Sequence, residues 1–377
     1  MSESLEQQRL VSLDVFRGMT IAGMVLVNNP GTWSSIYSPL KHAEWHGWTP
    51  TDMVFPFFVF IMGIAIPIAL GKRMEQGITA DVYVKIVKRT VIIFLLGLFL
   101  STFPFYNFTK GEWLDPGTVR IMGVLQRLAL CYLFGSLIFL WFNWKNQAYI
   151  AVILLFLYWA LLLFCGDGDL TKEGNFSGYI DRMVLTEAHI WRSAKVYDPE
   201  GLLSTIPAIS SCLAGVLCGT FLKTKRDHYE KVSAFFFFGV VLVSLGWVWD
   251  FFLPINKPIW TSSYVVFMAG MSLCFLAFCY WLIDIKGYKA WTKPFVIFGV
   301  NALALFVGSG VMSRIIGLIK WETAEGKSIT LQQFLFNNLF LSWASPINAS
   351  LMYAIAFILV WLFLMWLLYR KKIYIKV

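Results

Sequence analysis

A chain of 377 residues that is 58% hydrophobic, 18% aromatic and only 14% charged, with a mean hydropathy of +0.67, carries too little charge to cover a soluble surface. Its formal net charge of +9 does not mark a nucleic-acid binder, because the basic residues are sorted by loop rather than gathered into a patch with interleaved aromatics. Uninterrupted apolar runs such as 148–165 and 349–369 match the roughly 20 residues, at about 1.5 Å each, that cross hydrocarbon, and runs without alternation satisfy their backbone there only as helices. The fold class is an all-α integral membrane protein.

Ten spans follow in chain order: 10–29, 52–71, 84–104, 119–142, 148–165, 201–222, 232–253, 259–283, 294–318 and 347–369. One set of loops, with the two tails, carries eighteen Lys and Arg, in clusters such as Lys72–Arg73, Lys223–Arg226 and Arg370–Lys372; the alternate loops carry nine. The positive-inside rule places the first set and both termini in the cytoplasm, as an even number of spans requires. A further apolar segment, 331–343, is too short for a full crossing and reads as a re-entrant or interfacial helix on the outer side. The acidic, polar stretch 1–8, followed by Asp14 and Arg17 inside the first span, does not read as a cleaved signal. The six cysteines lie mostly within apolar segments, at spacings unlike a metal cage, and read as packing residues. Residues 1–377 read as a single membrane domain without a solenoid repeat.

Ionisable groups inside spans cost about 2.5–3.5 kcal/mol each at a helix centre and so face a partner or a cavity. Asp14 and Arg17 share a face of the first helix, either as an internal ion pair or with Arg17 turned to an anionic ligand from the cytoplasm. Asn28 and Asn29 close that helix before the Pro30–Gly31 break, with side chains able to donate and accept at once. The outer loop 30–51 then presents His42, Trp45 and His46, and Asp52 opens the second helix, as an N-cap or as the group orienting a loop histidine. His42 and His46 are two of only four histidines, and imidazole suits proton transfer near neutral pH; two histidines four apart without a third ligand make a poor metal site, and no metal is expected. In the fourth span Gln126 and Arg127 sit one to two turns in, and Arg127 demands a partner. Asp250, Asn301 and Arg314 pose the same question more weakly. The outer loop 166–200 is rich in Trp, Tyr and acidic residues, which serve an interfacial aromatic belt or the faces of a sugar.

These residues resemble a known family. The stretches SLDVFRG (12–18), VN (27–28), KHA followed by Trp45 and Gly47 (41–47), DMVFP (52–56), FVFIMG (58–63), GVLQR (123–127), DPEGLLS (198–204) and NKPIW (256–260) are similar, in order, to heparan-α-glucosaminide N-acetyltransferase and its bacterial relatives, which are transmembrane acyltransferases. The resemblance implies acetyl transfer from cytoplasmic acetyl-CoA, as co-substrate, to a glucosamine amine on the other side. It implies His42 as the essential histidine and Asn28 as its companion. His46 departs from the lysosomal pattern and ranks second. The chain also starts close to its first matching helix, without the lumenal domain of the lysosomal enzyme, so the implied acceptor is glucosamine or a glucosamine-ended saccharide, and the implied location a bacterial inner membrane.

The chemistry required agrees with the residues present. Attack on a thioester needs the amine deprotonated, for which His42 serves as general base or as a transient acetyl carrier. The oxyanion needs preset donors such as Asn28 or backbone N–H groups. Asp52, Trp45, His46 and Asn29 are the supporting or acceptor-binding candidates. Arg17, Arg127 and Gln126 are the candidates for holding the phosphates and arm of CoA. Expected partners are acetyl-CoA, an amino-sugar acceptor and membrane lipid, with a homodimer allowed. The alternatives are a sugar or proton-coupled transporter, favoured by the broken first helix and disfavoured by the want of a clear inverted repeat, and an O-acetyltransferase of a cell-surface glycan.

Overall fold

The apolar runs fold as helices. The computed structural model describes residues 10–108, 111–322 and 326–375; stretch 1–8 and the basic residues Arg9, Lys110 and Lys376 lie outside the described residues. In chain order the helices are α1 (Val11–Asn28), α2 (Val54–Glu75), α3 (Ala80–Thr102), α4 (Val124–Trp141), α5 (Trp144–Ala160), α6 (Phe176–Leu185), α7 (Thr205–Leu222), α8 (His228–Asp250), α9 (Ser262–Cys279), α10 (Lys293–Val300), α11 (Ala302–Leu318), α12 (Leu331–Phe336) and α13 (Pro346–Arg370). Two small antiparallel hairpins, β1 (Tyr106–Asn107) with β2 (Glu112–Trp113) and β3 (Lys320–Glu322) with β4 (Ser328–Thr330), fold between α3 and α4 and between α11 and α12.

Among the described residues eight helices are long and apolar enough to cross a membrane, or nine if α10 and α11 count as one broken span. The remaining predicted span is α3, 23 residues long, with Lys85, Lys88 and Arg89 in its first half on the side that the charge pattern assigns to the cytoplasm. Burial sorts the helices into layers. Within its apolar window α7 is 72% buried, against 17% for α5, 22% for α8 and 28% for α13, so α7 lies at the centre and the other three turn most of their surface to lipid.

The centre is built on close backbone approach. A Cβ added at Gly63 of α2 would lie 2.1 Å from the carbonyl oxygen of Cys212, and one at Gly215 of α7 2.1 Å from that of Phe60. Small residues let helix backbones touch where apolar lipid supplies no hydrophobic drive. Phe16, Phe57 and Phe60 fill the space beside this contact, and Phe16 meets Phe57 edge-on at 5.3 Å between ring centroids.

Three expectations need correction. The span read as 294–318 is broken, and α10 and α11 meet at 83°. The break falls at Asn301, whose side chain donates to Ile373 O at 3.1 Å and accepts from Ile375 N at 2.8 Å, so a buried amide satisfied by the returning C-terminal segment replaces a helical turn. The span read as 119–142 starts later, because residues 119–123 run extended and α4 opens only at Val124; Gln126 and Arg127 therefore lie in its first turn rather than one to two turns in. Residues 201–204 likewise precede α7. In the short segment 331–343, α12 continues into a π-turn at Asn337–Leu341 and stops. Those 11 residues fall short of a crossing, which fits the re-entrant or interfacial reading.

Replacing Gly215 by Val should abolish the α2–α7 contact, since overpacking a tight interface costs about 1–3 kcal/mol or more. Gly317, beside which an added Cβ meets nothing within 4 Å, should accept Val. Monodisperse yield in detergent size-exclusion chromatography separates the two, with a large loss expected for Gly215→Val alone.

Candidate active site

The outer loop 30–51 owes its shape to one carboxylate. Asp52 lies in the 3₁₀ turn Pro50–Met53 that leads into α2, and with Thr49 it forms a capping box. Its Oδ2 accepts from the backbone N–H groups of Thr49 and Ala43, both at 3.0 Å. Its Oδ1 lies 2.6 Å from His42 Nδ1. A buried ionised carboxylate only accepts, so His42 holds its proton on Nδ1 and keeps a lone pair on Nε2. Asp52 is 1% exposed and His42 50%, which places a buried carboxylate behind a reachable imidazole. Asp52 thus fills both roles that the sequence left open.

A third group joins them from far along the chain. Lys257 Nζ lies 3.5 Å from Asp52 Oδ1 and 3.0 and 3.4 Å from the two ring nitrogens of His42. Because Nδ1–H is committed to Asp52, the Lys257 nitrogen lies against the ring and the carboxylate, closer to Nδ1 than to Nε2. Burial pulls the Lys257 pKa below that of an ordinary lysine, against the opposing pull of Asp52 and Glu200. The segment 251–261 is pinned to place it: Gly47 N donates to Ile255 O at 2.7 Å, Ile259 N to Asn256 Oδ1 at 3.0 Å, and Asn256 N to Thr261 Oγ1 at 3.0 Å. Trp260 turns the corner at φ 51°, a strained angle for a bulky residue, with its ring fully buried.

The remaining loop residues build a wall. Asn256 Nδ2 lies 3.3 Å from His46 Nδ1, so His46 is tied to the 251–261 segment rather than to His42, and burial lowers its pKa. Trp45 Nε1 donates to Leu170 O at 2.7 Å, and its ring meets that of Tyr197 edge-on at 4.9 Å.

Beneath lies a network of buried charge. Arg120 makes a two-pronged contact with Asp198, at 2.8 and 2.6 Å, and also reaches Glu200. Burial pushes Glu200 up, but Arg120, Arg127 and Lys257 outweigh it and hold it below its ordinary value. Arg127 is fully enclosed; it donates to Gly201 O at 3.2 Å and to Ser204 Oγ, and lies 5.1 Å over the Trp260 ring. Asp181 accepts from Leu202 N at 2.8 Å, and burial pushes its pKa up to about 6.

The other candidates separate. Asn28 and Gln126 line an outer cavity of about 500 Å³ between α1, α3, α4 and α11. Asn29 lies at its edge, but its amide donates to Val25 O of its own helix at 2.8 Å. Arg17, 3.5 Å from Asp14, lines an inner cavity of about 340 Å³. Arg127 and Gln126 are not at that inner cavity. Arg89 is, stacked 4.6 Å over Tyr132 with its Nε unbonded. Sequence reasoning missed Lys257 and Arg89. Lys257 lies inside the NKPIW block and Arg89 in the basic first half of α3, and in neither place does the sequence pattern mark a site.

Residues 9–104 match a family model described as a domain of unknown function, DUF5009. Over 98% of its length the chain is 28% identical to the heparan-alpha-glucosaminide N-acetyltransferase of Mus musculus, and equally to that of Homo sapiens. The likeness expected from the sequence is found along nearly the whole chain. The chain spans about 60% of the length of either relative.

The raised Asp181 carries a stability signature. The fold binds its proton more tightly than the unfolded chain does. Its contribution is therefore fully present below about pH 4 and lost as pH rises through about 6, a change of at most about 3 kcal/mol. The thermal midpoint in detergent should fall between pH 4 and 6, and Asp181→Asn should flatten that fall relative to the native chain.

Proposed function

We propose that this multi-pass membrane protein is an acetyltransferase. In this reading it moves acetyl from cytoplasmic acetyl-CoA to the amine of glucosamine or a glucosamine-ended saccharide on the outer side of a bacterial inner membrane. The observation that carries the reading is the His42 imidazole, held by a buried Asp52 at 2.6 Å with Nε2 open beneath aromatic outer loops. The named activity of the two relatives supports it.

His42 Nε2 takes a proton from the acceptor ammonium as the nitrogen lone pair bonds to the thioester carbonyl carbon, and the imidazolium that results is stabilised by Asp52. Lys257 is the candidate for the developing oxyanion, since a preset cation is most effective where water is excluded, whereas Asn28, the expected companion of His42, lines a cavity apart from it. As the C–S bond breaks, His42 returns a proton to the departing sulfur. The sum is R–NH₃⁺ plus thioester giving amide, thiol and one released proton. Acetyl-CoA supplies the activated acyl group. On this reading the inner cavity receives its phosphates, and Arg17 and Arg89 suit them because Arg89 has an N–H without a partner and both present guanidinium forks to anions. Arg127, enclosed among Gly201, Ser204 and Trp260, acts there as a structural cation.

Transfer of labelled acetyl from acetyl-CoA to glucosamine by the purified chain tests the reading. His42→Ala should lower kcat by about 10²–10⁴ and Lys257→Met by about 10²–10³, while His46→Ala, which removes only a wall contact, should cost far less. Intersecting double-reciprocal plots are expected for direct transfer, and parallel lines would replace it with an acetyl-His42 intermediate. A folded chain that binds acetyl-CoA yet acetylates no amino sugar would sink the proposed acceptor; one that binds no acetyl-CoA would sink the acetyltransferase.

A further inference from the structure

The inner cavity has one wall that is not a helix. Among the described residues that line it, Ile375 alone lies outside the helices, in the segment that follows α13. That helix ends in a Schellman turn, in which Lys372 N donates to Tyr369 O at 3.0 Å and Ile373 N to Leu368 O at 2.9 Å. Lys372 sits in the left-handed region at φ 55°, a position that favours glycine and that a side chain enters at a cost. The turn reverses the chain and sends 373–375 back across the α10–α11 break, where the buried Asn301 holds Ile373 O and Ile375 N. Asn301 is a fixed post. Two residues before it, Gly299 abuts α1 so closely that an added Cβ would stand 2.3 Å from Asp14 O. The segment itself is lightly held: Ile373, Tyr374 and Ile375 are 44, 42 and 48% exposed. Among the described residues the two bonds to Asn301 are its hydrogen bonds to the bundle beyond the turn. Few buried apolar contacts and few bonds mark an element that opens before the rest of a fold does.

We propose that residues 371–375 form a strap that opens and closes the mouth of the inner cavity, with Asn301 as its latch and the turn at Lys372 as its hinge. Closed, the strap sets Ile375 on the cavity edge that Arg17 and Arg89 also line. Opening breaks two hydrogen bonds and lets Lys372 leave the left-handed region. Strain in the hinge thus offsets part of the latch and keeps the two states close in free energy. Lys371 and Lys372 are exposed on the side that the charge pattern assigns to the cytoplasm, and with the two arginines they draw an anion to the mouth that the strap uncovers. The strap meters entry and exit of that anion. That the anion is acetyl-CoA rests on the acetyltransferase reading; the opening itself does not. Asn301 acts through the strap and is a positioning residue.

The test uses the purified full chain in phosphatidylcholine nanodiscs, with Cys165→Ser removing the exposed thiol. Ala65→Cys then places a thiol on the cavity wall, and Gln76→Cys, at the exposed end of α2, is the control. The readout is the rate of modification by an anionic sulfonatoethyl methanethiosulfonate. Ile375→Pro deletes the N–H that Asn301 accepts, at an exposed position. It should speed modification of Ala65→Cys by about tenfold, the worth of one hydrogen bond, and leave Gln76→Cys unchanged. Ile375→Val, which keeps the N–H, should match the native rate. An unchanged rate at Ala65→Cys in Ile375→Pro overturns the strap. If Ile375→Pro also exposes the buried native cysteines, hydrogen exchange of the native chain decides instead: 371–375 should exchange while the body of α13 stays protected, and equal protection of both overturns the proposal. In stopped-flow binding of acetyl-CoA, Ile375→Pro should raise the association and dissociation rates together with little change in Kd. A rise in dissociation alone makes Ile375 a ligand contact and overturns the gate. If the native chain binds no acetyl-CoA the acetyltransferase reading falls, and the thiol rates still decide the strap.

Discussion

The outer half of the molecule depends on the two oxygens of Asp52. One oxygen accepts from the N–H groups of Ala43 and Thr49 and so closes the loop that carries His42, Trp45 and His46 at the mouth of α2. The other fixes the His42 tautomer at 2.6 Å. Loop shape and the availability of Nε2 are thereby the same fact, because a carboxylate that let go of the loop would also let go of the imidazole. Tyr264 reinforces the arrangement from α9 by donating its hydroxyl to the Asp52 backbone carbonyl at 2.6 Å. The cost of burying the charge is met by these hydrogen bonds and by Lys257 at 3.5 Å, as buried ions require.

Behind Asp52 the buried charges balance. Asp52, Asp198 and Glu200 face Lys257, Arg120 and Arg127, three carboxylates against three cations drawn from separate loops and from α4. Asp181 lies beside this set as a fourth carboxylate; burial, with the neighbouring Asp198 charge, raises its pKa against the backbone N–H groups of Leu202 and Asp198 and the more distant Arg127. The network cross-braces segments 41–52, 119–127, 198–204 and 251–261, none of which forms a continuous helix with another. It explains why residues 119–123 run extended: Arg120 can make its two-pronged contact with Asp198 only if the chain delivers it beside the outer loop rather than within the first turn of α4.

How much of this was legible in the sequence follows the range of the forces involved. Hydropathy and loop charge are local sums, and they located every long helix to within a few residues. His42 and Asp52 are ten residues apart in one loop, near enough for their pairing to be entertained from sequence. Lys257 is 215 residues from His42, and no local signal sets it apart from the other outer-loop lysines. Asn301 sits in an apolar run whose one proline, Pro294, lies at its start, where a helix accepts it, so nothing at Asn301 itself foretells an 83° break; the partner is the C-terminal segment at Ile373 and Ile375, seen only once the chain has folded. Arg120 was read into a span because Ile121 and Met122 beside it are apolar, and composition does not distinguish an extended apolar strap from a helix.

The arginines of the bundle sort by what already holds them. Arg120 has two carboxylates, whereas Arg127 has a carbonyl, a hydroxyl and an indole face, all met through Nη2 and the guanidinium face, and keeps Nε and Nη1 unbonded inside its enclosure. Arg89 and Arg314 keep N–H donors that no described side-chain acceptor satisfies, one on the inner cavity and one on the outer. A guanidinium left partly unsatisfied in a cavity is costly unless something anionic completes it.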